Sequence, residues 1–208
     1  MGKEADSQIE KRSRNAGRKR LNFNPKPKPK KAQNNTTELV SDMLSYRDLF
    51  DYFKRERIVI IRALENMSNE EFTKNRGLSF DSIKGVFAHT VMVEDNWLHW
   101  RMAGLGLGTQ LKLEDFKNLQ DIKKYMTEVD EKTSKFFKKL TEQDLEREFK
   151  VIRPDGTETV ERVENALYHI PIEVVHHYGE IFAEFWKMGI NAPYYSYLNF
   201  SKDRVKGI

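Results

Sequence analysis

Residues 119–140, LQDIKKYMTEVDEKTSKFFKKL, decide the fold of this 208-residue chain. Seven positions in this stretch alternate spacings of three and four: Leu119, Ile122, Met126, Val129, Thr133, Phe136 and Leu140. Such spacing places side chains on one face of a helix, in the seam pattern of a helical bundle. Thr133 is the one polar member, and no ionisable side chain falls on the face. We therefore predict a structural helix over residues 118–140.

Three further long helices follow from apolar spacing on either side of this seam. They are predicted at residues 43–67, 81–103 and 160–188, and Gly189 ends the last one. A Pro-Asp-Gly turn at 154–156 interrupts weakly alternating residues just before that last helix. The sequence therefore predicts an all-α protein, a four-helix bundle with a short hairpin or an irregular crossover before the last helix.

Several classes of function are excluded by what the sequence lacks. It has no cysteine, which excludes disulfides, Cys-ligated zinc and a cysteine nucleophile. It has no glycine-rich phosphate loop and no nucleophile-elbow motif. No run of about 18 apolar residues is present, and the N-terminus lacks the apolar segment of a secretory signal. We expect a cytoplasmic protein that does not enter the membrane.

The charge of the chain is divided unevenly between its N-terminus and the rest. Residues 1–37 carry eleven Lys or Arg and three acidic residues, a net charge of +8, whereas residues 38–208 have a net charge of −4. We predict a disordered basic tail over 1–42 and a bundle domain over 43–208. The tail could bind nucleic acid through clustered cations. Because Phe23 is its only aromatic residue, a solubilising extension is the favoured interpretation.

The last predicted helix carries the densest group of metal-ligating side chains, in LYHIPIEVVHHYGEIFAE at 167–184. Glu173 and His177 are four residues apart, so a helix presents both on one face. His89 lies among the apolar residues of the second helix. Together these three make a set of two histidines and one carboxylate, typical of catalytic zinc and of non-haem iron. Nickel and manganese are also admissible.

Each of these residues also has an ordinary structural interpretation. His89 could be a hydrogen-bonded core histidine, Glu173 could pair with an arginine, and His177 could support His176 as the ligand. Spacing alone leaves these alternatives open. Lesser roles are expected for the remaining candidates. They are His169 as an outer support, Asn96 lining the pocket, Glu94 as structural, His99 near solvent, and Trp97 and Trp100 as core.

Three segments, taken in order, resemble the DinB/YfiT-like superfamily of metal-binding four-helix bundles. They are LENMSNEEF at 64–72, SIKGVFAH at 82–89 and HIPIEVVHHYGE at 169–180. The last is similar to the family pattern H-x-x-x-H-x-x-H-H-R-G-Q. The resemblance implies a bundle over about residues 43–190, with metal ligands at His89, Glu173 and His177. This chain departs from the pattern at Glu173, where the family has histidine, and at Tyr178, where it has arginine.

The resemblance also implies a class of chemistry. It implies an enzyme with a divalent ion, zinc or nickel first and iron or manganese second, that activates a low-molecular-weight thiol or water against a small-molecule substrate. A thiol S-transferase or a hydrolase would result, with Glu180 as the catalytic carboxylate that moves the proton. A homodimer is implied as well. The alternative is a non-catalytic dimeric binding or stress-response protein, associated with nucleic acid through its basic tail.

Overall fold

A computed structural model describes residues 45–106, 108–153, 155–192 and 195–205 of the chain. The predicted basic tail lies outside the described residues. Four long helices form the body: α1 (Tyr46–Leu64), α3 (Ile83–Asp95), α4 (Leu119–Lys139) and α6 (Val163–Lys187). Three short helices are α2 (Asn69–Thr73), α5 (Glu142–Leu145) and α7 (Tyr197–Val205). The prediction of an all-α four-helix bundle is confirmed.

The ends of these helices follow from local capping. Ser45 and Asp48 form a reciprocal capping box at the start of α1, and Asn118 with Asp121 forms another at the start of α4. The side chain of Ser82 accepts a hydrogen bond from the Gly85 amide and begins α3. The predicted helix began at residue 81, so the observed start at Ile83 lies two residues later.

Helix α6 is the centre of the packing, because it contacts both α1 and α3, while α3 also contacts α4. The fully buried core residues come from all four long helices: Ile60, Ile83, Val86, Phe87, Ile122, Val129, Leu167, Ile170, Val174 and Ile181. Pro171 lies inside α6, which continues unbroken through it. A proline removes one backbone hydrogen bond of a helix, but here it does not end the helix.

The end of α3 differs from the prediction of one continuous helix over 81–103. At Asn96 the α-helix gives way to a π-helical segment, Asn96–Arg101, and a short 3₁₀ turn follows at Leu113–Asp115. π-Helical segments are rare, and they often mark functional sites. This wider turn carries Trp97 and Arg101, whose side chains border a cleft described below.

The predicted hairpin is present immediately before α6. Strands β1 (Glu148–Ile152) and β2 (Glu158–Arg162) pair antiparallel, with Lys150 opposite Val160. Gly156 has a φ of +83° in the connecting turn, a conformation that glycine adopts without strain. The hairpin therefore leads directly into the first turn of α6.

Two residues of α1 correct the expected pattern of burial. Charged residues of a bundle helix ordinarily lie on its outer face, but Glu56 is 1% exposed and its neighbour Arg57 is 4% exposed. Arg57 is neutralised by Asp130 of α4, with a distance of 2.7 Å between charged atoms, and by Glu94 of α3. Periodicity missed them because charged residues are rarely buried unless they are paired.

Helix α7 covers part of α1 through aromatic contacts. The Tyr52 ring meets those of Tyr195, Tyr197 and Phe200 at centroid distances between 5.4 and 6.5 Å. The tyrosine-rich C-terminal segment therefore packs on the first helix of the same chain. None of the helices in the described ranges is long and apolar enough to cross a membrane.

Candidate metal centre

His89 is placed by the middle of α3 and by the loop that precedes this helix. The rings of Phe80 and His89 stack with a centroid distance of 3.8 Å and an angle of 22° between planes. A Cβ on Gly85 would overlap the carbonyl oxygen of Phe80. Glycine at position 85 therefore lets the loop approach α3 closely enough to hold the imidazole of His89.

Glu173 and His177 lie one turn apart on α6. Val174 beside them is fully buried in the core, which fixes the rotation of the helix. Both side chains consequently face α3 at the height of His89. The rings of His89 and His177 have centroids 4.8 Å apart and are nearly perpendicular.

The structure brings together the three residues that were predicted as metal ligands. His89 Nε2 lies 3.5 Å from Glu173 Oε1. One donor atom from each of His89, Glu173 and His177 lies within 4.8 Å of the other two. Their side chains are 23%, 27% and 14% exposed, respectively, so an ion or a small molecule can reach them from solvent. Within the described ranges no other group of three such donors is found.

His169 supports Glu173 from the preceding turn of α6. Its Nε2–H donates to Glu173 Oε2 across 2.6 Å. This hydrogen bond, together with one from His89, holds the pKa of Glu173 well below its usual range, although burial acts in the opposite direction. Glu173 is therefore an anionic carboxylate whose Oε2 contacts His169 and whose Oε1 contacts His89. His169 occupies the supporting place that was expected for it.

Glu180 contacts the side of His177 that faces away from His89. Its Oε1 accepts from His177 Nδ1 at 2.8 Å and from Ser79 Oγ at 2.8 Å, and its Oε2 accepts from the Ser79 amide. Burial alone would raise the pKa of Glu180, but the hydrogen bonds from Ser79 and His177 outweigh it and lower the pKa. Because a carboxylate only accepts, His177 Nδ1 is the donor in this hydrogen bond, and Nε2 is the ring nitrogen left to bind an ion.

The donor set suits a divalent ion. Two imidazoles and one carboxylate are the protein ligands of many catalytic zinc sites, which keep a further position open. Ligand atoms around a tetrahedral zinc lie about 3.4 Å apart, close to the 3.5 Å between His89 and Glu173. The carboxylate–histidine contact at His177 is the outer support that metal-binding imidazoles normally have. The residues present therefore fit the ion that the resemblance implies.

The sequence profile of the DinB family matches residues 33–204 of the chain. The chain belongs to the DinB family. Among the curated proteins no relative matches the sequence.

Solved structures similar to this DinB chain include the mycothiol-dependent maleylpyruvate isomerase and a histidine-to-alanine variant of it. Identity is 16% in both cases, and the TM-scores are 0.41 and 0.40. Each match covers 65% of this chain and 62% of the other chain. The chain thus spans less than two thirds of the length of these structures.

A second polar cluster in this DinB chain joins α3, the π-helical segment and α4, and sequence reasoning missed most of it. Thr133 donates to Glu94 across 2.6 Å, and Glu94 is fully buried. His99 Nε2 meets the same Thr133 hydroxyl at 3.3 Å. Burial lowers the pKa of His99 to about 4. His99 was expected near the helix end and solvent, and it is half-buried against this cluster. The polar Thr133 on the α4 seam was the available signal for the contact.

Three other expectations have different outcomes. Asn96 was expected to line the pocket, but its side chain accepts a hydrogen bond from the Thr109 amide and anchors the loop after the π-helical segment. Trp100 was expected in the core, and its indole N–H donates a hydrogen bond to the buried Asp95. Trp97 was expected in the core, yet it borders a cleft beside the candidate metal centre. All three residues lie on the π-helical turn, which no sequence pattern predicted, and their side chains have different surroundings there.

Proposed function

We propose that this DinB-family chain is a metal-dependent enzyme that directs a thiol or a water molecule onto a small-molecule electrophile. The observation that carries the proposal is the convergence of donor atoms from His89, Glu173 and His177 within 4.8 Å. Zinc or nickel is the proposed ion, because imidazole nitrogen suits both, and iron or manganese is the alternative. Three protein ligands leave room for a fourth group.

When bound, such an ion supplies Lewis-acid chemistry, lowering the pKa of a thiol or of water so that either becomes a nucleophile near neutral pH. The side chains of the site supply orientation. Glu180 fixes the tautomer and the direction of His177, and Phe80 fixes the plane of His89. Since Glu180 is occupied by His177 and Ser79, its contacts support a positioning role. Its predicted role as the residue that moves the proton stays a prediction.

A low-molecular-weight thiol is the proposed cosubstrate, with water as the alternative nucleophile. An assay separates the two. Zinc-loaded protein would be mixed with glutathione and 1-chloro-2,4-dinitrobenzene in one arm, and with 4-nitrophenyl acetate in the other. The proposal expects turnover above background in one arm, lost in His177→Ala and unchanged in His176→Ala. The exposed His176 is the matched control, since it lies outside the cluster of three donors.

Absence of turnover in both arms, or equal turnover by wild type and His177→Ala, would favour the alternative of a non-catalytic binding protein. The predicted homodimer stays a proposal. It is supported by two large apolar side chains on α6 that remain exposed, Ile172 at 62% and Trp186 at 61%. The proposed binding of nucleic acid by residues 1–37 rests on their charge alone.

A further inference from the structure

A cleft of about 560 Å³ adjoins the candidate metal centre. It is bounded by the π-helical segment, by both strands of the hairpin and by α6, and it includes Glu173 and His169 in its wall. Clefts that bind small organic molecules measure about 300–1,000 Å³. A molecule held in this cleft would therefore lie beside Glu173, one of the three candidate ligands.

One part of the wall is apolar and flat. Trp97 borders the cleft together with Val151 and Ala166, which are buried in the core below it. The indole of Trp97 is held in place by its neighbours. The His169 ring meets it edge-on at 4.9 Å, and the Arg101 guanidinium lies 4.5 Å from its centroid. A rigid aromatic surface of this kind favours a ligand with a flat apolar body.

The charges of the wall favour an acidic group on that body. Two arginines, Arg101 and Arg153, border the cleft from different elements, and two glutamates, Glu161 and Glu173, oppose them. With a divalent ion at the centre, the ion and the two arginines contribute +4 and the two glutamates contribute −2. The formal net charge of these groups is then +2. Without the ion the same residues sum to zero. The preference for an anion thus rests on the proposed function.

Arg153 is the arginine best placed to bind that acidic group. It directly follows β1, and its backbone is held by two hydrogen bonds: its amide donates to the Thr157 carbonyl, and its own carbonyl accepts from the Gly156 amide. Among the described residues its guanidinium makes no hydrogen bond, and its one charged neighbour is the exposed Asp155, whose pKa the Arg153 charge helps to lower. Guanidinium binds carboxylate through two parallel hydrogen bonds, which gives both affinity and orientation.

We propose that the cleft binds a small organic acid with a flat apolar body, and that Arg153 is a binding residue for its carboxylate. Trp97 then contacts the body of the substrate, while Arg153 holds the acidic end at the hairpin. The opposite end of the substrate is directed toward Glu173, the candidate ligand that forms part of the cleft wall. The acid group would thereby set which atom of the substrate faces the candidate metal centre.

The test measures the binding of two flat probes of similar shape, benzoate and the neutral benzamide, to the zinc-loaded full chain by calorimetry. Benzoate should bind at least about tenfold more tightly than benzamide. Arg153→Gln should remove most of that preference while leaving benzamide affinity and zinc content unchanged. Lys150→Gln is the control, since Lys150 is an exposed cation of the preceding strand β1 and is paired with Glu158. It should bind benzoate like wild type.

The outcomes separate the cleft from the ion. Bound zinc without a preference for benzoate, or equal losses in Arg153→Gln and Lys150→Gln, would overturn the assignment of Arg153 and leave the proposed function standing. If the zinc ion alone bound benzoate, Arg153→Gln would affect benzoate affinity no more than Lys150→Gln does. Failure to bind zinc would contradict the proposed function, and the cleft assignment would fall with it because the positive charge is then lost.

Discussion

The imidazole of His89 lies flat against the ring of Phe80, with 3.8 Å between the two centroids. This contact joins the loop before α3 to the candidate metal centre. The same loop carries Ser79, which binds Glu180 and through it the imidazole of His177. Both histidines are therefore oriented by one short segment of chain.

Phe80→Ala should loosen His89 and weaken metal binding. Loss of the stacked ring frees the imidazole, and removal of outer supports of metal ligands typically lowers affinity about 10–100-fold. We expect an effect near the lower end, because the coordinating atoms themselves remain. Competition with a chromophoric zinc chelator measures it. Phe137→Ala removes a half-buried ring that packs on Tyr46 and Phe50, and it should leave zinc affinity unchanged.

Glu180→Gln tests the hold on His177. An amide oxygen accepts a weaker hydrogen bond from His177 Nδ1 than a carboxylate does. Zinc affinity should therefore fall about tenfold or more. Glu164→Gln, on the first turn of the same helix and exposed, is the control. Equal zinc affinities in the two variants would show that the contact between Glu180 and His177 does not support the site.

Two helical glycines give opposite predictions for the same substitution. Glycine to alanine inside a helix ordinarily stabilises by about 0.5–1 kcal/mol. Gly179 of α6 has no neighbour within 4 Å of an added Cβ, so Gly179→Ala should raise the free energy of unfolding by that amount. Gly85→Ala should instead lower it by about 1–3 kcal/mol, because the methyl group overlaps the Phe80 carbonyl. Urea denaturation compares the two, and stabilisation by Gly85→Ala would contradict the close approach of the loop.

The buried Glu56 should give the protein a distinct dependence of stability on pH. Burial raises the pKa of Glu56 from an ordinary 4.5 to about 7, against a hydrogen bond from Tyr52. Between these values the unfolded chain loses the proton and the folded chain keeps it. Stability therefore falls as pH rises from 4.5 to 7, by about 2–3 kcal/mol from this group.

Glu56→Gln should lack this component, so its stability relative to wild type should increase over the same range. Unfolding in urea at pH 4.5, 6 and 7.5 measures the difference. The exposed Glu70→Gln should follow the wild-type curve. A constant difference between wild type and Glu56→Gln across this range would mean that Glu56 titrates normally in the folded protein.

Local periodicity predicted the elements and part of the site. The seam of α4 follows from spacings of three and four, and Glu173 with His177 follows from their separation by one turn. Such features depend on residues close in the chain. His89 could be added because the second helix offers few other donors at apolar positions. The structure places all three together, while their role in binding a metal stays a prediction.

The remaining features depend on contacts between distant segments. Burial of Glu56 and Arg57 is decided by partners on α3 and α4, which no pattern within α1 reveals. The π-helical turn at 96–101 has no local sequence signature, and it alone places Trp97 at the cleft. Arg153 reaches the same cleft because the hairpin packs beside α6. Sequence reasoning therefore found the candidate ligands and missed the surface that would select the substrate.

The metal content of purified protein tests the central claim most directly. Wild type, reconstituted with zinc and dialysed against metal-free buffer, would be compared with the double variant His89→Ala, His177→Ala by elemental analysis, with circular dichroism to confirm that both are folded. The account predicts about one zinc ion per wild-type chain and none in the double variant. Equal zinc content in the two folded proteins would contradict it.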